Sequence, residues 1–219
     1  MAITLSTGVV LSIATTYDAK DTFTAISNAA EAIVTMNPAH GLLVGDFVEV
    51  TSGWGLLNQR ICRIKTVNVN DVTLEGVNTT STTQFPASGG VGSGAGLRKI
   101  ATWTTLSQVK SLSASGGDIQ YANISSLEDV VAKQVPTIRN AVSMNIDVYD
   151  DPTLAWYGIV ASASDSRAPV GLLMSFPNSS KLIANAYWSL QRVPTVAINE
   201  AMTSQISLSY AAEPVRYAA

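Results

Sequence analysis

Charged residues are scarce in this sequence. Asp, Glu, Lys and Arg make up 13% of the 219 residues, which is about half of the ~25% that is usual for soluble domains. Hydrophobic residues make up 47%, and the mean hydropathy is +0.23. A soluble monomer keeps a charged surface in contact with water. The scarcity leaves two alternatives, an unusually neutral surface or a surface that other copies of the chain cover, and we favour coverage.

Basic runs and long apolar runs are also lacking. The chain has 13 Lys and Arg against 16 Asp and Glu, a net charge of −3, and no run of cations could neutralise successive phosphates, which argues against specific nucleic-acid binding. No apolar stretch approaches the ~20 residues that a membrane span needs. The opening stretch MAITLSTGVVLSIATTYD lacks the cationic region of a signal peptide, so we expect synthesis in the cytoplasm without export.

The sequence contains one cysteine, Cys62, and one histidine, His40. A single cysteine excludes an internal disulfide, and a single histidine excludes metal sites that need two. A Ser-His-Asp triad could be built only around His40, whose place in PAHGLLVGD favours a role in a turn or at a strand start. Cys62 lies within RICRI and is predicted to be a small core residue.

The other candidates for chemistry have simpler structural explanations. Asp150 and Asp151 could act as an acid and base pair, but a helix cap explains Asp151 and a polar turn explains Asp150. The stretch GVGSGAG lacks the GK[ST] ending of a phosphate loop. Trp54 and Trp188 could stack on sugars, although positions in a core or an interface suit them better. We therefore predict no enzyme, no cofactor and no metal site.

Residues 21–100 predict a small β domain. Short β-rich segments such as DFVEV and RICRIKTV are separated by turn sequences such as NPAHG, and their spacing suits a small barrel or sandwich. The stretch ASGGVGSGAGL then has the composition of a flexible linker. We place a domain boundary there, and residues 1–20 are expected to supply an N-terminal arm and the first strand of the other domain.

Residues 101–219 predict a second β domain. TWTTLSQVKSL is expected to form one strand, and the stretches TIRNAVSMNIDVYD and MTSQISLSY alternate between apolar and small polar side chains. This period of two is typical of a strand with one face in a core.

One helix is predicted over residues 152–164, within DPTLAWYGIVASASDS. Asp151 is the expected N-cap and Pro152 suits the first helical position. The apolar side chains of this segment surround the helix axis, so the helix should be covered on more than one side.

A long connection, residues 113–136, separates two of the predicted strands. It shows neither alternation nor a helical stripe, and structureless connections beyond about 12 to 15 residues are usually functional or disordered. It also carries too much apolar surface for a free tail.

The order of elements over 101–219 resembles the major tail tube proteins of bacteriophages with long, non-contractile tails. The resemblance lies in SGGDIQYANISSLED leading to QVPTIRNAVSMNIDVYDD, then the apolar helix, the FPNSSKLIANAYWSL strand and EAMTSQISLSYAAEPVRYA. Separately, HGLLVGDFVEVTSG with LNQRICRIKTV looks like a small β module inserted in several phage virion proteins. The resemblance implies a mainly β fold: a β-sandwich or barrel of the tail-tube type with one flanking α-helix and an inserted small β-barrel-like domain.

The same resemblance implies a structural virion protein, made in the host cytoplasm and located in the tail. Its copies would form stacked, hexameric rings whose tube conducts DNA, and its partners would be the tape measure protein and the tail terminator and distal tail proteins. In this family the long loop and both terminal arms reach adjacent subunits or rings, so 113–136 is expected to be an assembly arm that becomes ordered on docking. The candidate contact residues in this loop are Asp118, Ile119, Tyr121, Ile124, Leu127 and Val130.

A conduit for DNA should not hold its cargo, so its wall should lack Lys and Arg. The polar faces of the two alternating segments contain no positive charge and are our candidates for the lumen. These residues are Ser143, Asn145, Asp147, Thr203, Gln205, Ser207 and Ser209. The alternative, which would be preferred without the resemblance, is that these residues are the solvent-facing side of a two-layer sandwich. A different function also remains open: a two-domain module that binds a carbohydrate or a virion protein through Trp54 or Trp188.

Overall fold

A computed structural model describes residues 7–218 of the chain, and the described part is mainly β, as predicted. The strands in the first half are β1 (Val10–Tyr17), β2 (Asp21–Ile26), β3 (Ile33–Met36), β4 (Phe47–Thr51), β5 (Ile61–Asn68), β6 (Asp71–Leu74) and β7 (Gly96–Leu106). The second half contains β8 (Val109–Ser115), β9 (Ile119–Asn123), β10 (Gln134–Arg139), β11 (Ser143–Tyr149), α1 (Ala155–Ser166), β12 (Val170–Ser175), β13 (Lys181–Leu190), β14 (Thr203–Tyr210) and β15 (Val215–Tyr217).

Strands β2 to β7 close into a small barrel. They pair in the order β2-β3-β6-β5-β4-β7, and β2 also pairs with β7, so the path returns to its start. Side chains of these strands and of their connecting loops form a separate apolar core, which includes Phe23, Val34, Val48, Trp54, Ile64, Leu74, Phe85 and Leu97. Closure of the strands leaves the barrel without a free sheet edge.

The Gly/Ser-rich stretch after β6 packs against this barrel. The carbonyl of Gly90 accepts hydrogen bonds from the backbone N–H of Gly53 (3.2 Å) and the hydroxyl of Ser52 (2.8 Å). A Cβ at Gly90 would lie 2.3 Å from a methyl carbon of Ile26 and 2.9 Å from the ring of Trp54. The prediction of a flexible linker is therefore wrong for this part of the stretch, because its glycines allow close packing against the barrel core.

A larger antiparallel sheet combines β1 and β7 with strands of the second half, in the order β7-β1-β12-β13-β14-β11-β8. One face of this sheet packs with α1 around a second apolar core. Its members include Leu11, Ile13, Met144, Ile146, Val148, Trp156, Val160, Leu172, Trp188, Ile206 and Leu208. The predicted alternation in β11 and β14 is confirmed, since every second residue of each strand is buried.

The larger sheet curls on itself. TWTTLSQVKSL was expected to be one strand, but the chain ends β7 at Leu106, turns through Ser107 and Gln108, and begins β8 at Val109. Gln108 adopts a left-handed conformation (φ 62°), which breaks the strand. Since β7 and β8 lie at opposite ends of the strand order and their ends can be at most about 11 Å apart, the two ends of the sheet must approach each other. This curling is consistent with the β-sandwich or barrel that the resemblance implies.

Helix α1 begins later than predicted. It spans Ala155–Ser166, and its N-cap is Leu154, without a side-chain cap. The carboxylate of Asp151 instead accepts hydrogen bonds from the backbone N–H (3.0 Å) and hydroxyl (2.6 Å) of Thr153. The prediction of Asp151 as N-cap is wrong because this local turn occupies the carboxylate before the helix starts. No helix of the described residues has the length and apolarity needed to cross a membrane.

Strand β7 joins the barrel to the larger sheet. Its first residues pair with β2 and β4, and its later residues pair with β1. A third group of apolar side chains fills the junction: Ala14, Phe47, Ile61, Ile100, Leu173, Ile183, Val215 and Tyr217. Beside it, the buried amide of Asn185 donates to the carboxylate of Glu49 (3.1 Å) and the carbonyl of Gln59 (3.0 Å). Glu49 also binds Arg98 of β7.

The C-terminal strand is bound to its own chain. β15 pairs with β13, and the ring of Tyr217 is 3% exposed. The hydroxyl of Tyr217 accepts a hydrogen bond from the backbone N–H of Arg63 (2.8 Å), whose guanidinium lies 4.6 Å from the ring centroid. The prediction of a C-terminal arm that reaches another subunit is wrong for residues 215–217, because this strand completes the junction. The predicted N-terminal arm lies partly at residues 1–6, outside the described residues.

Removal of the Tyr217 side chain should destabilise the monomer. We expect Tyr217→Ala to lower the free energy of unfolding by about 3 kcal/mol or more, the usual cost of deleting a buried aromatic ring, and Tyr217→Phe to lower it by about 1 kcal/mol through the lost hydrogen bond. Urea denaturation at a concentration where the protein is monomeric measures both changes. Tyr121→Ala, on an exposed ring, is the matched control; equal midpoints for Tyr217→Ala and wild type would contradict the docking of β15.

Candidate assembly surfaces

All seven predicted lumen residues lie on one face of β11 and β14. Residues directly opposite each other in neighbouring antiparallel strands share a face, and the register places Ser143 opposite Ser209, Asn145 opposite Ser207 and Asp147 opposite Gln205. Thr203 lies opposite Tyr149 at the end of the same row. The other face of both strands belongs to the apolar core.

The same polar surface continues onto β8 and β13. Ser111, Ser113 and Ser115 of β8 lie opposite the three β11 residues, and Tyr187 and Ser189 of β13 lie opposite β14 residues. We call this surface the polar face; its members are Ser111, Ser113, Ser115, Ser143, Asn145, Asp147, Tyr187, Ser189, Thr203, Gln205, Ser207 and Ser209. Sequence reasoning missed the serines of β8, although KSLSAS alternates, because this segment was merged with β7.

Asp147 carries the negative charge of the polar face. Its carboxylate accepts hydrogen bonds from the hydroxyl of Ser111 (2.7 Å) and the amide of Gln205 (3.2 Å). These two bonds, with a smaller contribution from the charge of Lys110, hold its pKa below the usual value for aspartate. Lys110 lies at the irregularity of the β8–β11 register, and the polar face as defined above contains neither Lys nor Arg. At neutral pH the face is therefore polar and weakly negative.

Loss of the Ser111 hydroxyl should raise the pKa of Asp147. Because the folded-state pKa is lowered, ionised Asp147 stabilises the fold above about pH 4, and this contribution disappears as the pH falls through the folded-state pKa. We expect the contribution to be at most about 0.5 kcal/mol, since solvent screens a partly exposed carboxylate. An NMR titration of the Asp147 carboxyl in Ser111→Ala should show the rise, whereas Ser113→Ala, opposite Asn145, should not. An unchanged pKa in Ser111→Ala would contradict the bond.

The connection between β8 and β11 is a β-hairpin rather than an irregular loop. Its strands β9 and β10 pair antiparallel with each other, apart from the large sheet. Residues 124–133 form the tip, where Lys133 binds Asp129 and the hydroxyl of Ser125 accepts from the backbone N–H of Lys133 (2.7 Å). The expectation of an irregular segment is thus wrong, because cross-strand pairing between β9 and β10 is not visible as alternation in either strand alone. We call residues 118–140 the arm.

The arm exposes its apolar side chains. All six predicted contact residues are exposed, and Leu127 and Val130 at the tip are 108% and 99% exposed. Val131 and Ile138, which sequence reasoning did not single out, are 74% and 67% exposed. An isolated two-stranded hairpin is only marginally stable in water. The arm therefore presents apolar surface that the rest of residues 7–218 leaves uncovered.

Two glycines bring the two ends of the arm together. Gly116 and Gly117 have φ of +87° and +82°, a conformation that favours glycine. A Cβ at Gly116 would lie 2.1 Å from the carbonyl oxygen of Ala141. The backbone N–H of Gly117 also donates to the carbonyl of Asn140 (3.3 Å). The chain can thus leave and re-enter the sheet at one point.

Deletion of residues 118–140 should leave a folded monomer. Because the ends meet at Gly117 and Ala141, their direct connection imposes little strain on β8 and β11, so we expect the urea midpoint to stay close to that of wild type. We expect this variant to form no tubes in negative-stain electron micrographs. The double variant Leu127→Asp with Val130→Asp, in the intact arm, is a second test and should also form no tubes. Tube formation by both variants would refute a role of the arm in assembly.

Other residues singled out in the sequence have structural roles. Trp54 and Trp188 are 2% and 4% exposed, and their indole N–H groups donate to the carbonyls of Pro86 and Val170. Neither ring is accessible to a sugar. The alternative prediction of a binding module that acts through Trp54 or Trp188 is therefore not supported. One ring nitrogen of His40 accepts from the backbone N–H of Leu42 (3.1 Å), and the other lies 3.0 Å from a backbone carbonyl, which fits the predicted role in a turn.

Cys62 is fully buried, as predicted, and burial raises the pKa of its thiol to about 12. The thiol is therefore protonated at neutral pH and unreactive. Within residues 7–218, no three His, Cys, Asp or Glu side chains are grouped so that they could hold a metal ion.

A family model described as phage tail tube protein, TTP, matches residues 52–219, more than half of the chain. A chain from the cryo-EM structure of the anti-feeding prophage tube-terminating cap aligns at 20% identity and a TM-score of 0.37, covering 49% of this chain and 79% of that one. A chain from the cryo-EM structure of the six-fold symmetrised baseplate of the anti-feeding prophage aligns at 10% identity and a TM-score of 0.37. The alignment covers 54% of this chain and 86% of that one. No curated protein sequence matches this chain.

Proposed function

Because this chain belongs to the phage tail tube protein family and is a structural tail protein, we propose that its copies form hexameric rings that stack into the tail tube. In this proposal the polar face lines the lumen and DNA passes along it. The protein acts through self-association and carries out no catalysis.

The polar face is the observation that carries this proposal. Its serines, threonine, asparagine and glutamine offer hydrogen bonds but no positive charge, and Asp147 is ionised at neutral pH. Lys and Arg would neutralise phosphates and retain DNA. A wall of neutral hydroxyls and amides with a sparse negative charge lets a polyanion pass without binding.

The free edge of the sheet supports ring formation. Strand β8 pairs with β11 on one side and is the last strand of its sheet in the described part of the chain. Leu112 lies opposite the core residue Ile146, yet it is 39% exposed. An unpaired edge with exposed apolar residues is prone to pair with another chain, and ring closure would cover it. The low charge of the whole sequence fits such coverage.

The proposed tube would meet other virion proteins at defined places. The tape measure protein would occupy the lumen during assembly and contact the polar face. Tail terminator and distal tail proteins would contact the surfaces that the first and last rings leave uncovered. The exposed apolar arm is the surface of this chain that best fits such contacts.

Selective labelling should distinguish a lumen wall from an outer surface. We expect Ser207→Cys in assembled tubes to react with a small maleimide but not with a maleimide carried on a gold particle as wide as the tube. Thr82→Cys, on an exposed barrel loop, is the matched control and should react with both reagents. The buried Cys62 adds no background.

Electron micrographs of the same samples would show whether rings or tubes form. Tubes in which Ser207→Cys binds the gold particles along their length would place the polar face outside. Particles that stay monomeric at all concentrations would refute the tube itself.

A further inference from the structure

The outer edge of β8 is unpaired within the described residues 7–218. Proteins usually protect such an edge by a very short strand, a proline, a covering element, a charged side chain or a β-bulge. β8 has seven residues, six of them exposed, and contains no proline. This length is not short, since strands usually have about 5 to 6 residues. The two remaining forms of protection, a charge and a bulge, both occur at Lys110.

Lys110 is the only charged residue from Ala101 to Gly117. The stretch contains no proline, and its β8 part carries Leu112, which is 39% exposed. Segments with β-forming residues, low net charge and no proline are prone to pair with strands of other chains, and a charge within them opposes this pairing. A single charge thus interrupts a stretch that is otherwise suited to strand pairing.

Lys110 is also the extra residue of a β-bulge. Val109 lies opposite Val148, and Ser111 lies opposite the preceding residue, Asp147. Lys110 therefore has no partner on β11. Residues two apart in a regular strand share a face, yet Val109 packs against the apolar core and Ser111 lies on the polar face. The bulge accommodates both positions and leaves Lys110 exposed.

The charge of Lys110 is not neutralised by a direct ion pair. Seven salt bridges form among residues 7–218, and none of them includes Lys110. A strand that added to the edge of β8 would remove water from the ammonium group. This loss of hydration is unfavourable unless the added strand supplies an acceptor. The bulge is a second obstacle, because it interrupts the regular spacing of the backbone hydrogen-bonding groups.

We propose that Lys110 and its bulge keep the edge of β8 unpaired in the free subunit and so prevent association by indiscriminate strand addition. The cost of covering the ammonium group falls on every added strand that lacks an acceptor at this position. Lys110 thereby restricts which strands can pair with the edge. The inference depends on the unpaired edge of β8 and not on the proposed tube.

Removal of the charge at residue 110 should allow association through this edge. Lys110→Met keeps a long unbranched side chain without the ammonium group. We expect it to lower the concentration at which half of the protein is associated by about tenfold or more, measured by analytical ultracentrifugation. Lys110→Arg keeps the charge and should behave like wild type. Lys65→Met is the matched control, because it removes the same charge from β5, which is paired on both sides.

Hydrogen exchange locates the contact. Amides of residues 107–117 should exchange more slowly in associated Lys110→Met than in its monomer, because the outer edge of β8 gains hydrogen bonds. Amides of residues 124–133, at the tip of the arm, should not change. Lys110→Gln is a second neutral variant, and a urea midpoint equal to that of wild type verifies the fold of each variant.

The proposal is wrong if the folded neutral variants associate no more readily than Lys65→Met. It is also wrong if they associate without slower exchange in residues 107–117. Whether the wild-type protein forms tubes is a separate observation that bears on the proposed function alone.

Discussion

The alternation of side chains along four strands is the constraint on which the rest of the molecule depends. A strand has two faces, and here one face supplies the apolar core with α1 while the other carries hydroxyls, amides and one carboxylate. The two roles cannot be separated, because a shift of register by one residue would exchange them along the whole strand. The same pairing that stabilises the monomer therefore arranges the surface proposed to face DNA, and the core fixes the order of its polar groups.

Strand alternation made the central part of this surface predictable. β11 and β14 each show a clean period of two, so the order of amino acids alone assigns their buried and polar residues. Residues of β8 and β13 on the same face were missed because their assignment depends on which strands pair. Ser111 is one example, since its bond to Asp147 joins residues 36 positions apart. Register between distant strands is not encoded in the pattern of either strand alone.

Three further features depended on contacts that are not local. The arm is a hairpin because β9 pairs with β10. Neither strand has a buried face, so neither shows the alternation by which a strand is predicted. The C-terminal strand docks because Tyr217 fits a space bounded by Phe47 and Arg63. The Gly/Ser-rich stretch has the composition of a linker. Gly90 nevertheless packs against Trp54, at a position with no room for a side chain. In each case the sequence showed the composition of the segment but not the residues that the segment contacts in the fold.

Strand β7 has a mechanical consequence. It runs without interruption from the barrel into the larger sheet, and Glu49, Arg98 and Asn185 tie the two parts together beside it. Rotation of the barrel against the larger sheet would have to break backbone hydrogen bonds of β7. We therefore expect the barrel and the sheet to move as one rigid body. A force applied to the outside of the barrel would pass along β7 and through the turn at Ser107 and Gln108 to β8, which carries three serines of the polar face.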